Sequence, residues 1–152
     1  RSALGIDRSE AALALAAEAA ARNGVDERCE FRRGEVFAEA TALAQQGERF
    51  DIVVADPPPF ARSKREAPAA LRGYRKLAHR AAQLVMPGGV LFLASCSYNV
   101  AATDFADAVR RGLQDGGRSG RILRSAGAGP DHPVLPALPE TAYLKSLTLA
   151  LD

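Results

Sequence analysis

The chain alternates between short apolar runs and longer segments in which apolar residues recur at helical spacing. An unbroken apolar run that ends at a breaker is typical of a strand, and apolar positions three and four residues apart are typical of a helix that faces a core. The pattern predicts strands at residues 3–6, 29–32, 50–55, 90–97, 121–124 and 143–151. It predicts helices at residues 9–22, 39–46, 72–85 and 103–114.

Strands that alternate with helices predict an α/β domain with a doubly wound, mostly parallel sheet. The last two strands are close enough in sequence to form an antiparallel pair at one edge. Ile52, Val53 and Val54 show no polar alternation, and we therefore expect both faces of that strand to be buried. Without an internal repeat, residues 1–152 are predicted to form a single domain, with a long loop at 127–139.

Composition is that of an ordinary globular protein, with 47% hydrophobic and 25% charged residues in a chain of 152. Apolar runs fall short of the roughly 20 residues that a membrane span needs, and the N-terminus lacks the layout of a secretory signal. We therefore expect a cytoplasmic protein that does not contact membranes. Cys29 and Cys96 suit neither a disulfide framework nor a zinc site, so both are interpreted as thiols, and no metal site is predicted.

Positive charge is concentrated in one segment, although the net charge is only +2. Its cations are opposed in sequence by Glu66 alone, and they are Arg62, Lys64, Arg65, Arg72, Arg75, Lys76 and Arg80. A charged helix face is often merely solvated. This imbalance favours contact with phosphate groups instead.

Polar residues follow the predicted strands at the edge where open parallel sheets bind ligands. Asp7 suits the acceptor of ribose hydroxyl groups, but an aspartate there can equally cap the following helix. Glu35 follows the next strand and suits an adenine amino group beside apolar atoms, although a solvated loop glutamate is the common alternative.

The segment "DPPPF" starts at Asp56, where a buried strand ends abruptly. Its prolines fix their own backbone angles and supply no donors, so the segment is stiff and can present Asp56 to a planar ligand. The alternative is a rigid exit from the strand, with Asp56 as its cap. Cys96, flanked by serines at the end of another strand, is interpreted as a nucleophile, while Cys29 is interpreted as a small buried residue. His79 and His132 lack the spacing of a triad or metal site.

Four segments of the chain together resemble the class I S-adenosylmethionine-dependent methyltransferases. They are "DPPPF", "RGYRKL", "PGGVLFLASCS" and "DHPVLPALPETAYLKSLTLAL". Within that class the chain is most similar to the large-subunit ribosomal RNA cytosine-5 methyltransferase I family, over essentially its whole length. The resemblance implies a Rossmann-like fold, S-adenosylmethionine as cofactor and ribosomal RNA as substrate. A homodimer is a further expectation.

The resemblance also implies roles for individual residues. Cys96 would be the covalent catalyst and Asp56 would hydrogen-bond the pyrimidine. The cofactor would contact Asp7 at its ribose, Glu35 and Val36 at its adenine, and Asp56 and Pro57 where cofactor and base meet. Arg8 is a further predicted cofactor contact. The RNA would contact Pro58, Phe60, Arg62, Lys64, Arg72, Arg75 and Lys76.

The chemistry that the resemblance implies is addition of the Cys96 thiolate to carbon 6 of a cytosine, which makes carbon 5 nucleophilic. The base must be accessible, so a single-stranded or flipped-out cytosine is expected. Amino-group methyltransferases are the main alternative, but the aromatic residue of their loop directly follows the prolines. Here Pro59 takes that place and Phe60 comes one residue later. A non-catalytic RNA-binding module and a small-molecule methyltransferase also remain open.

The family's first strand and glycine-rich turn, which contact the methionine part of the cofactor, would precede Arg1. The chain therefore resembles the later portion of a catalytic domain, and the preceding segment of the same protein is an expected partner. We predict that the 152-residue chain alone binds S-adenosylmethionine weakly. Isothermal titration calorimetry checks this, and a dissociation constant in the micromolar range would contradict it.

Overall fold

The computed structural model describes residues 2–152 and divides the chain into two compact units, which meet in sequence between Gln46 and Gly47. Each unit is described by itself. The prediction of one domain for residues 1–152 stays a prediction.

The first unit contains two parallel strands, each followed by a helix. The elements are β1 (Ala3–Asp7), α1 (Glu10–Arg22), β2 (Cys29–Arg33) and α2 (Val36–Gln45). Strand β1 pairs with β2 along its full length, from Ala3 opposite Cys29 to Asp7 opposite Arg33. The parallel pair brings the ends of both strands to one edge.

Local chemistry sets the ends of these helices. Ser9 caps α1, since its Oγ accepts the Ala12 N–H at 3.2 Å, and Gly24 with a φ of 63° follows its last turn. Helix α2 begins three residues earlier than its predicted start at Glu39 because the Glu35 carboxylate caps it. Asp, Ser, Thr and Asn are the usual caps, and a glutamate is easily missed.

The second unit contains a four-stranded mixed sheet and two helices. Its elements are β3 (Phe50–Ala55), α3 (Ala67–Leu84), β4 (Val85–Ser95), α4 (Ala102–Asp115), β5 (Gly120–Ala126) and β6 (Lys145–Leu151). The strand order is β3-β4-β6-β5. Strands β3 and β4 are parallel, while β6 runs antiparallel to both β4 and β5. This confirms the α/β class and the antiparallel C-terminal edge.

The core of this unit lies where α3 packs on β3 and β4 and against α4. Strand β6 alternates strictly, so every second residue from Lys145 to Leu151 is buried. The two helices approach closely at Gly112, where a Cβ atom would overlap the backbone of Arg75 and the side chain of Ala78. Other buried residues of α3 and α4 include Tyr74, Leu77, Ala81, Phe105, Val109 and Leu113.

The prediction that β3 is buried on both faces is wrong. Ile52 and Val54 are 64% and 66% exposed, while Val53 and Ala55 on the other face are half-buried. In the sheet β3 is an edge strand, and α3 packs on one of its faces. An apolar run cannot by itself show whether a second layer covers it.

The starts of α3 and β4 also differ from the predictions. Helix α3 begins at Ala67, five residues before Arg72, because Pro68 suits the first helical turn. The segment "MPGG" belongs to β4 but forms a bulge, since Phe50 pairs with Val85 and Ile52 with Val90.

Among the residues described, no helix has the length and apolar character needed to cross a membrane.

We predict that Gly112→Ala lowers the free energy of unfolding by about 1–3 kcal/mol, although alanine favours helices, because α3 must move away. Urea denaturation measures the effect. Gln114→Ala, an exposed change on the same helix, is the control and should be close to neutral. Equal stability of the two variants would contradict the close approach.

Candidate active site

The segments that follow β3 and β4 meet at the carboxyl ends of these parallel strands. The Cys96 Sγ lies 3.7 Å from the carbonyl oxygen of Pro57, to which the thiol donates a weak hydrogen bond. The Asp56 carboxylate is close enough to influence the titration of Cys96. Thiol and carboxylate therefore share one rim, Asp56 exposed and Cys96 half-buried.

Three buried hydroxyl groups, which we call the hydroxyl cluster, hold these segments together: Ser95, Tyr74 and Ser97. The Ser97 Oγ lies 2.8 Å from the Tyr74 hydroxyl and accepts the backbone N–H groups of Phe60 and Ala61 at 3.0 and 3.2 Å. The Ser95 Oγ donates to the Tyr74 hydroxyl at 2.8 Å. The cluster thus connects residues 56–61, which we call the proline segment, to α3 and to the end of β4.

Phe60 is turned toward α3. Its ring centroid lies 4.7 Å from that of Tyr74, and a Cβ atom on Gly73 would come within 2.9 Å of the ring. Tyr74 in turn makes an edge contact with Phe105. Phe60 is therefore half-buried, while Pro58 before it is exposed.

Opposing effects act on the Cys96 thiol. Burial raises its pKa most, a backbone hydrogen bond at Cys96 lowers it, the Asp56 carboxylate raises it, and the Lys145 ammonium lowers it. The net result is a raised pKa, so the resting group is a neutral thiol, consistent with its hydrogen bond to Pro57. Formation of a thiolate depends on nearby positive charge.

Lys145 also belongs to this site, although no role was predicted for it from the sequence. It is 9% exposed, and its Nζ donates to the carbonyl oxygens of Ser97 at 2.6 Å and Val100 at 2.7 Å. Burial lowers the pKa of Lys145 below its usual value, and the nearby Cys96 offsets only part of this effect. The signal was the alternation of "KSLTLAL", which puts Lys145 on the same face as buried leucines.

The predicted cofactor residues lie in the first unit, at the end of the β1–β2 pair. Asp7 Oδ1 accepts the Ser9 N–H at 2.7 Å, which orders the exposed carboxylate, and Ser9 rather than Asp7 caps the helix. The Asp7 carbonyl accepts the Gly34 N–H at 3.0 Å, so Glu35 follows at the same edge. Arg8 and Val36 are also exposed there. The ordered carboxylate of Asp7 and the adjacent carboxylate of Glu35 suit the polar groups of a nucleoside.

The basic segment is less uniform than its sequence suggests. Arg75 forms a two-point ion pair with Asp115 of α4, at 2.5 and 2.6 Å. That contact raises the pKa of Arg75 and lowers the pKa of Asp115. A groove of about 270 Å³ beside the pair is lined by Arg72, Arg75, Lys76, His79 and Asp115. Arg62, Lys64 and Arg65 are exposed just before α3.

Comparisons with known proteins agree with the resemblance noted from the sequence. The family described as "Methyltransferase domain" matches residues 2–127. "Ribosomal RNA large subunit methyltransferase I" of Aeromonas salmonicida is 39% identical over 145 residues, 95% of this chain and 37% of that protein. The Klebsiella pneumoniae (strain 342) protein of the same name is 36% identical over 146 residues, 95% and 36% of the two chains.

Among solved structures, that of SMU.776 complexed with SAH has a TM-score of 0.82 at 21% identity, over 98% of this chain and 39% of that chain. It supports the Rossmann-like fold. The present chain spans little more than a third of the length of the curated relatives that it matches.

We predict that Ser97→Ala speeds amide hydrogen exchange at Phe60 and Ala61, because both N–H groups lose their acceptor. Unsatisfied buried groups also cost about 1–3 kcal/mol of stability. Exchange followed by NMR checks this. Ser146→Ala, which removes a single long hydrogen bond at 3.4 Å, is the matched control. Unchanged protection at both amides would show that the hydroxyl cluster does not hold the proline segment.

Proposed function

Because the chain belongs to the methyltransferase domain family, we propose that it forms the catalytic part of an S-adenosylmethionine-dependent enzyme that methylates carbon 5 of a cytosine in ribosomal RNA. The observation that carries this proposal is the position of the Cys96 thiol, 3.7 Å from the Pro57 carbonyl and beside Asp56. The relatives of this chain that are named ribosomal RNA large subunit methyltransferase I support the choice of ribosomal RNA as substrate.

Residues of the first unit suit the nucleoside part of the cofactor. The ordered Asp7 carboxylate would accept hydrogen bonds from the ribose, with Arg8 beside it, and Glu35 and Val36 would border the adenine. When bound, S-adenosylmethionine supplies an electrophilic methyl group.

Cys96 would act on the base. Its thiolate adds to carbon 6 of cytosine, forming an S–C bond and moving an electron pair toward carbon 5, which then accepts the methyl group. Loss of the carbon 5 proton to solvent and cleavage of the S–C bond restore the aromatic ring and the thiolate. Asp56 would hydrogen-bond the pyrimidine edge during the attack.

The placement of Phe60 favours carbon methylation over amino-group methylation. Amino-group enzymes use the aromatic residue of this loop to stack on the base, whereas the Phe60 ring contacts Tyr74 and Gly73. An amino-group enzyme also has no chemical use for Cys96. The stiff segment with Pro58 would still contact the RNA beside the target base.

Phosphate groups of the RNA would contact the exposed cations around the start of α3. Arg62, Lys64, Arg72 and Lys76 are exposed on this segment. Arg75 would contribute less, because Asp115 already neutralises it.

The covalent step is tested with RNA that carries 5-fluorocytosine, in which fluorine replaces the proton that must leave carbon 5. We expect the natural gene product to form a covalent protein–RNA adduct in the presence of S-adenosylmethionine, seen as a shifted band in denaturing electrophoresis. Cys96→Ala should abolish the adduct.

Cys29→Ala is the matched control and should keep the adduct, because Cys29 belongs to the start of β2 and no role is assigned to it. Retained RNA affinity without an adduct would favour a non-catalytic RNA-binding module. Methylated amino groups in the product would favour the amino-group enzyme.

We predict that Arg72→Gln with Lys76→Gln weakens RNA binding and reduces its salt dependence by about two counterions. The measurement is fluorescence anisotropy at several salt concentrations. Arg110→Gln on α4, where the arginine is paired with Asp107, is the control. If methyltransferase activity and RNA affinity are both unchanged in the double variant, a small-molecule methyltransferase is favoured.

A further inference from the structure

The Lys145 ammonium is buried, and its hydrogen-bond partners are backbone carbonyl groups. Among residues 2–152, no carboxylate lies within 4.0 Å of its Nζ, and its two hydrogen bonds go to the carbonyls of Ser97 and Val100. Burying a cation without a counter-charge is costly unless another group compensates it. A negative charge that forms near Lys145 would therefore stabilise its ammonium group.

Strand pairing brings Lys145 to the site. Lys145 lies opposite Ser95 in the β4–β6 pair, one residue before Cys96. Its ammonium closes the turn after β4, in which the Val100 N–H donates to the same Ser97 carbonyl at 3.1 Å. The lysine thus orders the backbone that carries the thiol.

The groups facing Cys96 come from several elements. Asp56 at the end of β3 is the negative group, and Lys145 on β6 is the positive one. The hydroxyl cluster, through Tyr74 of α3, holds the residues on both sides of Cys96 and contributes no formal charge. Tyr98, in the turn after β4, is 55% exposed.

We propose that Lys145 is a positioning residue for Cys96: it fixes the turn that carries the thiol and supplies the positive charge that balances the thiolate. The inference rests on the proposed role of Cys96 as nucleophile. When the thiol loses its proton, the buried cation gains the counter-charge that it lacks at rest. Asp56 has the opposite effect, so the two residues set the thiolate population together.

The experiment measures the rate of Cys96 alkylation by iodoacetamide against pH, by mass spectrometry, in a Cys29→Ser background. Lys145→Met keeps the length of the side chain and removes its charge. We expect it to slow alkylation about tenfold at neutral pH and to move the rise in rate to higher pH. Lys145→Arg should restore most of the rate, and Asp56→Asn should move the rise to lower pH. In folded Lys145→Met, an unmoved profile overturns the proposal.

A second measurement does not need the Lys145→Met variant to fold. The titration of Lys145 is followed by NMR of its side-chain carbon in the parent chain and in Cys96→Ser. The negative charge of the Cys96 thiolate raises the pKa of Lys145. Cys96→Ser removes that charge, so Lys145 should titrate at lower pH in this variant. An identical titration in both proteins overturns the proposal.

These readouts separate the inference from the proposed function. A chain that forms the 5-fluorocytosine adduct but shows no alkylation shift loses the assignment of Lys145 alone. A chain with the shift and no adduct keeps the coupling of Lys145 to Cys96 and loses the methyltransferase step.

Discussion

The hydroxyl group of Ser97 is the contact on which the arrangement of the candidate site depends. It accepts two backbone N–H groups from the proline segment and lies 2.8 Å from the Tyr74 hydroxyl. The prolines of that segment cannot donate hydrogen bonds, so Phe60 and Ala61 supply the nearest backbone donors. This oxygen connects the segment that follows Asp56 to the residues directly after β4, which include Cys96.

Charge balance around the thiol follows from that alignment. Burial and Asp56 favour the neutral thiol, whereas Lys145 favours the thiolate. A thiol held in this way is neutral at rest, and the positive charge of Lys145 is the nearby side-chain charge that favours its thiolate. The stiff backbone and the opposed charges therefore act on the same atom.

Much of the site was predictable from local patterns. The apolar runs before Asp7 and Asp56 predicted the ends of β1 and β3 to within about one residue, and Ser9 marked the start of α1 as expected. The pairing of Arg75 with Asp115 was not predictable, because 40 residues separate them in sequence. The same holds for Lys145, whose burial depends on the strands and helices around it.

The sequence by itself determined the order of strands and helices and the class of the fold, because these depend on neighbours within a few positions. The tertiary structure alone decided that β3 exposes Ile52 and Val54, that Phe60 turns toward Tyr74, and that a lysine lies beside Cys96. Burial and electrostatic coupling depend on distances through space, and segments far apart in the chain set these distances.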